Sequence, residues 1–466
     1  MRIKAFSLAA SSALLLLGLV LAPSSAQPPA SPEPDPGPAA AAAAAAATQP
    51  PQDDQVTLEL NRGPRQLIKI AFPAFRGRLA GGAQAARELE GTVRRDLELS
   101  GYFAIQGPDQ LSGLALSGDV QADLAAYRST GNEVLLLGDL REEGDKLVFE
   151  GRVFDLGSGQ TILAKRYKGA YTVSRRIAHT FADEVIRYLT GKPGIGLSNI
   201  AFTSDRSGGT NVKEIWVMDY DGANQRRITG HRSTSMSPAW SPSGGELAYT
   251  SFFNGPPGVY LADLDSGRKR PIVTTGSLNT SPTFSPDGGR VAFARSVDGN
   301  IEIFTADKSG GGLRRLTHSN AIDTNPAWSP RGGEIAFTSS RAGNPHLYLM
   351  DAEGTNQRRL TFDGTYNDGV AWSPEGDLIA YASRRDGRFQ IAVTNVVTLA
   401  TRVLTSGAGE NESPTFSPDG RRIAFTSRRG GRKQIWVMEI DGSNLRQLTS
   451  EGNNDMPDWS RAVAEK

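Results

Sequence analysis

Four histidines, His179, His231, His318 and His346, are the only imidazoles in this 466-residue chain, and no cysteine accompanies them. Metal-dependent hydrolysis draws its ligands from short spacings such as His-x-His or His-Glu-x-x-His, and neither occurs. The missing cysteine also removes thiolate metal sites, thiol nucleophiles and disulfide frameworks. A serine nucleophile on a strand-to-helix elbow needs Gly-x-Ser-x-Gly, which is absent. Asp219-Tyr220-Asp221-Gly222 matches the start of a calcium loop but lacks the later ligands, and it falls where a hairpin must turn. His179 lies beside an apolar helical face and reads as structural. No cofactor is expected.

What remains is the chemistry of charged and polar loops. Asp323, Asp368, Glu410, Glu412 and Asp455 cluster just before or within short segments that end in an aromatic-Ser-Pro unit. Leu278, Asn279, Ser281 and Thr324 stand in equivalent segments. A second set, Arg206, Arg341, Arg385 and Arg429, recurs as Ser-x-Arg. Variable loops on a repeated scaffold suit binding. The expected surface is an acidic and polar mouth inside an arginine rim. A rival from another class is a hydrolase or lactonase whose channel carboxylates hold a metal.

The elements that must position these loops are repeats. The unit stands at Trp240-Ser241-Pro242, Phe284-Ser285-Pro286, Trp328-Ser329-Pro330, Trp372-Ser373-Pro374 and Phe416-Ser417-Pro418, with a truncated copy at Trp459-Ser460. Successive aromatics lie 44 residues apart, the last step 43. That period fits one four-stranded propeller blade. Pro238-Ala239-Trp240 predicts the innermost strand, Glu334 to Ser339 a second, Ile435-Trp436-Val437-Met438 a third, and Arg-x-Leu-Thr the outer one. The first repeat lacks its innermost strand and the last copy has nothing else. Joining them closes a ring of six blades over residues 199–460, with no open edge at the seam.

A smaller α/β domain is predicted at residues 56–192. Alternation at Val56, Thr57, Leu58, Glu59 and Leu60 predicts a strand, and residues 67–72 another. Ala86, Leu89, Val93 and Leu97 share a helical face that Gly101 ends. Strands at 134–140, 147–155 and 161–167 form hairpins, and a helix at 173–189 closes the domain. The whole is an all-β six-bladed propeller behind a mixed sheet with helices.

The leading residues address the chain. Arg2 and Lys4 precede an apolar run at 6–22 and the small residues Ser24-Ser25-Ala26, the pattern of a secretory signal cleaved after residue 26. Residues 27–55, rich in proline and alanine, read as a disordered tether. No other long apolar stretch occurs, so the mature chain is not expected to insert in a membrane. A formal net charge of +1 offers no field for nucleic acid.

Signal, α/β domain and blades reading Pro-Ala-Trp-Ser-Pro-x-Gly and Ile-Trp-Val-Met-Asp-x-Asp-Gly, together with Asp183-Glu184-Val185-Ile186, Leu189-Thr190-Gly191 and the permuted closure, resemble the TolB family, the periplasmic propellers of the Tol-Pal system. The resemblance implies a monomeric periplasmic hub without enzymatic activity. Its propeller mouth would bind the peptidoglycan-associated lipoprotein Pal, near Leu278, Asn279, Ser281 and Thr324. Its amino-terminal segment would bind the inner-membrane protein TolA through the matching stretch Val56 to Leu60. It implies a role in outer-membrane integrity and in constriction at division. Leu278 stands where many members carry histidine, and the tether precedes the TolA-type segment here, two departures from the family pattern.

Overall fold

The computed structural model describes residues 67–461 apart from 78, 80, 208–211 and 408. The signal, the tether and the strand expected at Val56 to Leu60 lie outside the described residues.

The first unit is a five-stranded mixed sheet with helices. Its elements are β1 (Ile68–Ala71), α1 (Ala83–Ser100), β2 (Phe103–Gln106), α2 (Val120–Arg128), β3 (Val134–Glu143), β4 (Lys146–Asp155), β5 (Thr161–Gly169) and α3 (Ser174–Thr190). The strand order is β2-β1-β3-β4-β5. The β1 strand runs parallel to β2 and β3, so helical crossovers must join them. The β3-β4-β5 strands form an antiparallel meander.

Helix α1 buries Leu89, Val93 and Leu97, and α3 buries Ile177, Phe181 and Val185. Each such side chain contributes about 2 kcal/mol when withdrawn from water. Both helices end at glycines in the left-handed region, Gly101 at φ 66° and Gly191 at φ 69°. Phe181 meets Phe149 edge-on at 5.1 Å. Gly151 makes room, since a Cβ there would lie 2.4 Å from the Phe181 ring.

The second unit is a ring of six four-stranded antiparallel sheets. We number the blades by their innermost strands: Ser235–Trp240, Asn279–Phe284, Asp323–Trp328, Asn367–Trp372, Asn411–Phe416 and Asn454–Trp459. The sixth blade completes itself across the chain. Asn454–Trp459 pairs with Asn199–Ser204, with Asn454 opposite Ser204 and Trp459 opposite Ile200.

The repeated residues have local causes. In five Ser-Pro turns the serine hydroxyl accepts the backbone N–H five residues on, at 2.9–3.1 Å. The threonine ending the outer strand accepts a third-strand N–H, as Thr317 does from Ile303 at 2.9 Å and Thr449 from Ile435 at 2.9 Å. The motif aromatics pack between blades. Trp240 Nε1 donates to the Asp458 carbonyl at 3.1 Å and Trp372 Nε1 to that of Ala327 at 3.1 Å.

The two units meet through polar contacts. Tyr220 donates to Asp96 at 2.7 Å, and the other oxygen of Asp96 holds His179 Nδ1 at 2.6 Å. Arg175 pairs with Asp219 and Asp221. Arg421 stacks on Tyr102, 4.0 Å from its centroid, and donates to the Ser100 carbonyl at 2.7 Å.

Candidate functional site

Each innermost strand carries the same irregularity. Its third residue has positive φ: Ser237 51°, Ser281 53°, Asn325 48°, Gly369 74°, Ser413 51° and Met456 53°. The pairing register shifts at that point in each blade. Such a bulge re-aims side chains at a strand end. The six left-handed residues ring the mouth of a channel of about 700 Å³.

Position within the strand sorts the candidate residues. The first residues, Ser235, Asn279, Asp323, Asn367, Asn411 and Asn454, are fully buried. Asn279 accepts from Arg295 at 2.9 Å and Asp323 from Arg341 at 3.0 Å. Both are therefore fastened inside their blades.

The second residues run Met236, Thr280, Thr324, Asp368, Glu412 and Asp455, so the carboxylates occupy three adjacent blades and the neutral side chains the other three. Asp368, Glu412 and Asp455 line the channel. Asp368 accepts from Asn325 Nδ2 at 2.6 Å and Thr338 Oγ1 at 2.8 Å. Lys433 bridges Asp455 at 2.7 Å and Glu412 at 2.9 Å.

Burial pushes Glu412 up despite Lys433. Burial works on Asp455 in the same sense, but the Lys433 ammonium prevails and holds its carboxyl below the usual range. Of the three second-position carboxylates, Glu412 and Asp455 share the Lys433 ammonium, while Asp368 is held by neutral donors.

Thr324 is almost wholly buried, Ser281 is half-buried, and Leu278 turns inward against the core of blades two and three. Glu410 accepts the Phe389 N–H at 2.7 Å, tying a loop to the neighbouring blade.

The Ser-x-Arg side chains fold back along their blades. Arg206 lies 4.6 Å over Trp216 and reaches Asn454 at 3.0 Å. Arg341 lies 4.8 Å over Tyr348. Arg429 lies 5.0 Å over Trp436 and donates to Ser427. Arg385 pairs with Asp363 at 3.7 Å. Aromatic stacking and hydrogen bonds to the first strand residue give arginine a structural role at Arg206, Arg341 and Arg429, three of the four positions.

Sequence reading missed Lys433, which sits in a third strand and bears no motif. It also missed Phe253 and Phe362, exposed apolar residues on the mouth-side loops. His231 packs against the Phe253 ring at 4.5 Å in a tilted arrangement, and His346 holds Thr361 and Asn367. Burial lowers His346 to about 4, which keeps it neutral. Among the described residues no group of three or more His, Asp or Glu is arranged to hold a metal ion.

Comparison with known proteins accords with this architecture. Residues 186–463 match the family model of the TolB beta propeller domain, and residues 56–162 that of the TolB amino-terminal domain. A TolB homolog of Chlorobium chlorochromatii is 36% identical over 193 residues, 41% of this chain and 43% of that protein. A Tol-Pal system protein TolB of Geobacter metallireducens is 40% identical over 182 residues, 38% of this chain and 42% of that one. These alignments span less than half the length of the relatives. The crystal structure of TolB from Acinetobacter baumannii superposes with a TM-score of 0.74 at 29% identity, covering 87% of this chain and 99% of that one. With more than half of its residues matched by the propeller model, and the preceding domain matched as well, the chain belongs to the TolB family.

Proposed function

We propose that this chain is a periplasmic protein-binding hub of the Tol-Pal system, without enzymatic activity. Residues 1–26 direct export and are removed, and residues 27–55 tether the α/β domain at 56–192. The mouth of the propeller, residues 199–460, receives a Pal-like lipoprotein. The stretch Val56 to Leu60 engages a TolA-like inner-membrane protein. Acting as a monomer, the hub supports outer-membrane integrity and constriction during division.

The observation that carries this reading is the mouth itself. Six identical bulges present a ring of dissimilar side chains, polar and apolar, at the end of a rigid scaffold. Rigid loops of varied chemistry lower the ordering cost of protein association. The rival hydrolase reading draws no support from the donor set. The Lys433 ammonium lies between Glu412 and Asp455, where it opposes a bound cation, and Asp368 is engaged by Asn325 and Thr338.

Calorimetry of residues 27–466 with the Pal homologue of the same genome tests the assignment. Micromolar or tighter binding, about −8 kcal/mol, is expected, lost in Thr324→Arg, which forces a long cation into the ring. No binding by well-folded protein would remove the lipoprotein from the reading. Deleting residues 56–60 should abolish capture of the TolA-like partner and spare the lipoprotein.

A further inference from the structure

The 2–3 hairpins of blades four and five differ from all other described tips. They read Arg384-Arg385-Asp386-Gly387-Arg388 and Arg428-Arg429-Gly430-Gly431-Arg432, six arginines against one carboxylate. The corresponding tips of blades two and three read Ser296-Val297-Asp298-Gly299-Asn300 and Ser340-Arg341-Ala342-Gly343-Asn344. Arg385 and Arg429 are drawn back, one to Asp363 and the other onto Trp436. Arg384, Arg388, Arg428 and Arg432 are exposed. Among the described residues none of these four makes an ion pair, and Arg388 donates only to the Gly407 carbonyl.

One loop holds the two tips together. Arg388 reaches the carbonyl of Gly407, the Phe389 N–H donates to the Glu410 carboxylate, and the Arg428 N–H donates to the Glu410 carbonyl at 3.0 Å. Asp386 at φ 50° and Gly387 at φ 81° make a tight two-residue turn. The guanidinium groups are thus carried on a pre-formed pair of hairpins. Guanidinium forks bind carboxylates in two-point fashion, and a rigid mount reduces the entropy lost on doing so.

We propose that the arginine-tipped hairpins of blades four and five dock an acidic segment of a protein partner, beside but separate from the channel mouth. An anionic bilayer fits less well. The innermost strands begin on the same face with the carboxylates Asp368, Glu412 and Asp455, and Glu410 stands in the loop beside the tips, so a broad negative surface meets like charge there. Without residues 1–26, which hold Arg2 and Lys4 and no carboxylate, the formal charge falls from +1 to −1, which gives no overall attraction to a membrane. A protein segment can place its carboxylates on the tips while turning other groups toward the mouth.

The test uses residues 27–466 and a fluorescein-labelled deca-glutamate peptide, read by anisotropy at low and high salt. Saturable binding is expected, weakened about tenfold or more by Arg384→Glu with Arg428→Glu, and weakened likewise by salt. The milder pair Arg388→Gln and Arg432→Gln should weaken it less. Tryptophan fluorescence checks that each variant is folded. Peptide binding that is absent, or unchanged by the charge reversal, overturns the proposal. So does binding to vesicles containing phosphatidylglycerol in place of the peptide. Because the probe is not the lipoprotein, failure here leaves the mouth assignment standing, and failure of the lipoprotein calorimetry leaves this site to be judged on its own.

Discussion

Replacing Lys433 by methionine should make the propeller's stability fall as pH rises. Lys433 is 19% exposed, with its ammonium 2.7 Å from Asp455 and 2.9 Å from Glu412, side chains that are 8% and 11% exposed. At an effective dielectric of about 20 each contact is worth about 6 kcal/mol gross. Desolvation of the three charges offsets most of it. What truncation exposes is the cost of two carboxylates left facing one another under cover, about 3–5 kcal/mol near neutral pH. Both carboxyls in the variant should titrate above their ordinary values of 4.5 and 3.8. The folded variant then binds more protons than the unfolded chain, so acidification restores stability. The return is about 1.4 kcal/mol per pH unit for each carboxyl within its window. All six tryptophans lie in the propeller, so urea unfolding followed by tryptophan fluorescence reports that unit alone. A loss below about 1 kcal/mol near neutral pH, or one that does not shrink toward pH ~5, would refute the reasoning. Adding Glu412→Gln and Asp455→Asn should recover most of the loss at neutral pH.

Three further outcomes follow from the packing and the domain interface. Gly151→Val places a side chain against the Phe181 ring, which a Cβ alone would meet at 2.4 Å. It should destabilise the α/β domain by about 1–3 kcal/mol, seen as earlier loss of helical circular dichroism with the tryptophan signal unchanged. Asp183, which accepts the Gly196 N–H at 2.9 Å, is pushed up to about 7 by burial. Its folded value exceeds its unfolded one, so ionisation costs stability progressively from pH ~4 to ~7. Asp183→Asn, which keeps the acceptor, should flatten that fall by up to about 4 kcal/mol in pH-dependent melts. Tyr220→Phe removes the bond to Asp96 across the domain interface. It should cost about 1–2 kcal/mol and raise the rate at which a protease cuts the 192–198 link; an unchanged rate would show that this bond does not hold the domains.

The legible parts were those that repeat or alternate. The aromatic-Ser-Pro units marked every innermost strand, and the orphan copies at both ends marked the seam that Asn454–Trp459 and Asn199–Ser204 close. In the α/β domain the two long helices showed through their apolar faces. The short β2 strand and α2 escaped notice. Four residues are too few to display a period. Helix α2 is nine residues long, and its readable sign is Asp119, whose side chain caps the N–H groups of Gln121 and Ala122.

Residue order alone determined the architecture, because blade formation rests on local requirements that recur every 44 residues: a serine hydroxyl for a turn, a threonine for a third-strand N–H, a small or apolar face for the neighbouring sheet. Which polar residues face the channel was decided only by the tertiary structure. Asp323 is the first residue of its innermost strand and is locked to an arginine, whereas Asp368 is the second residue of the next and lines the channel. Lys433 and Asp455 meet from different strands and blades, 22 residues apart. Three of the four Ser-x-Arg guanidiniums lie over aromatic rings and the fourth, Arg385, pairs with Asp363, whereas Arg384 and Arg428 are exposed and make no ion pair among the described residues. Charge can be counted along a chain, but whether a charge is spent on its own fold or left for a partner depends on what packs around it.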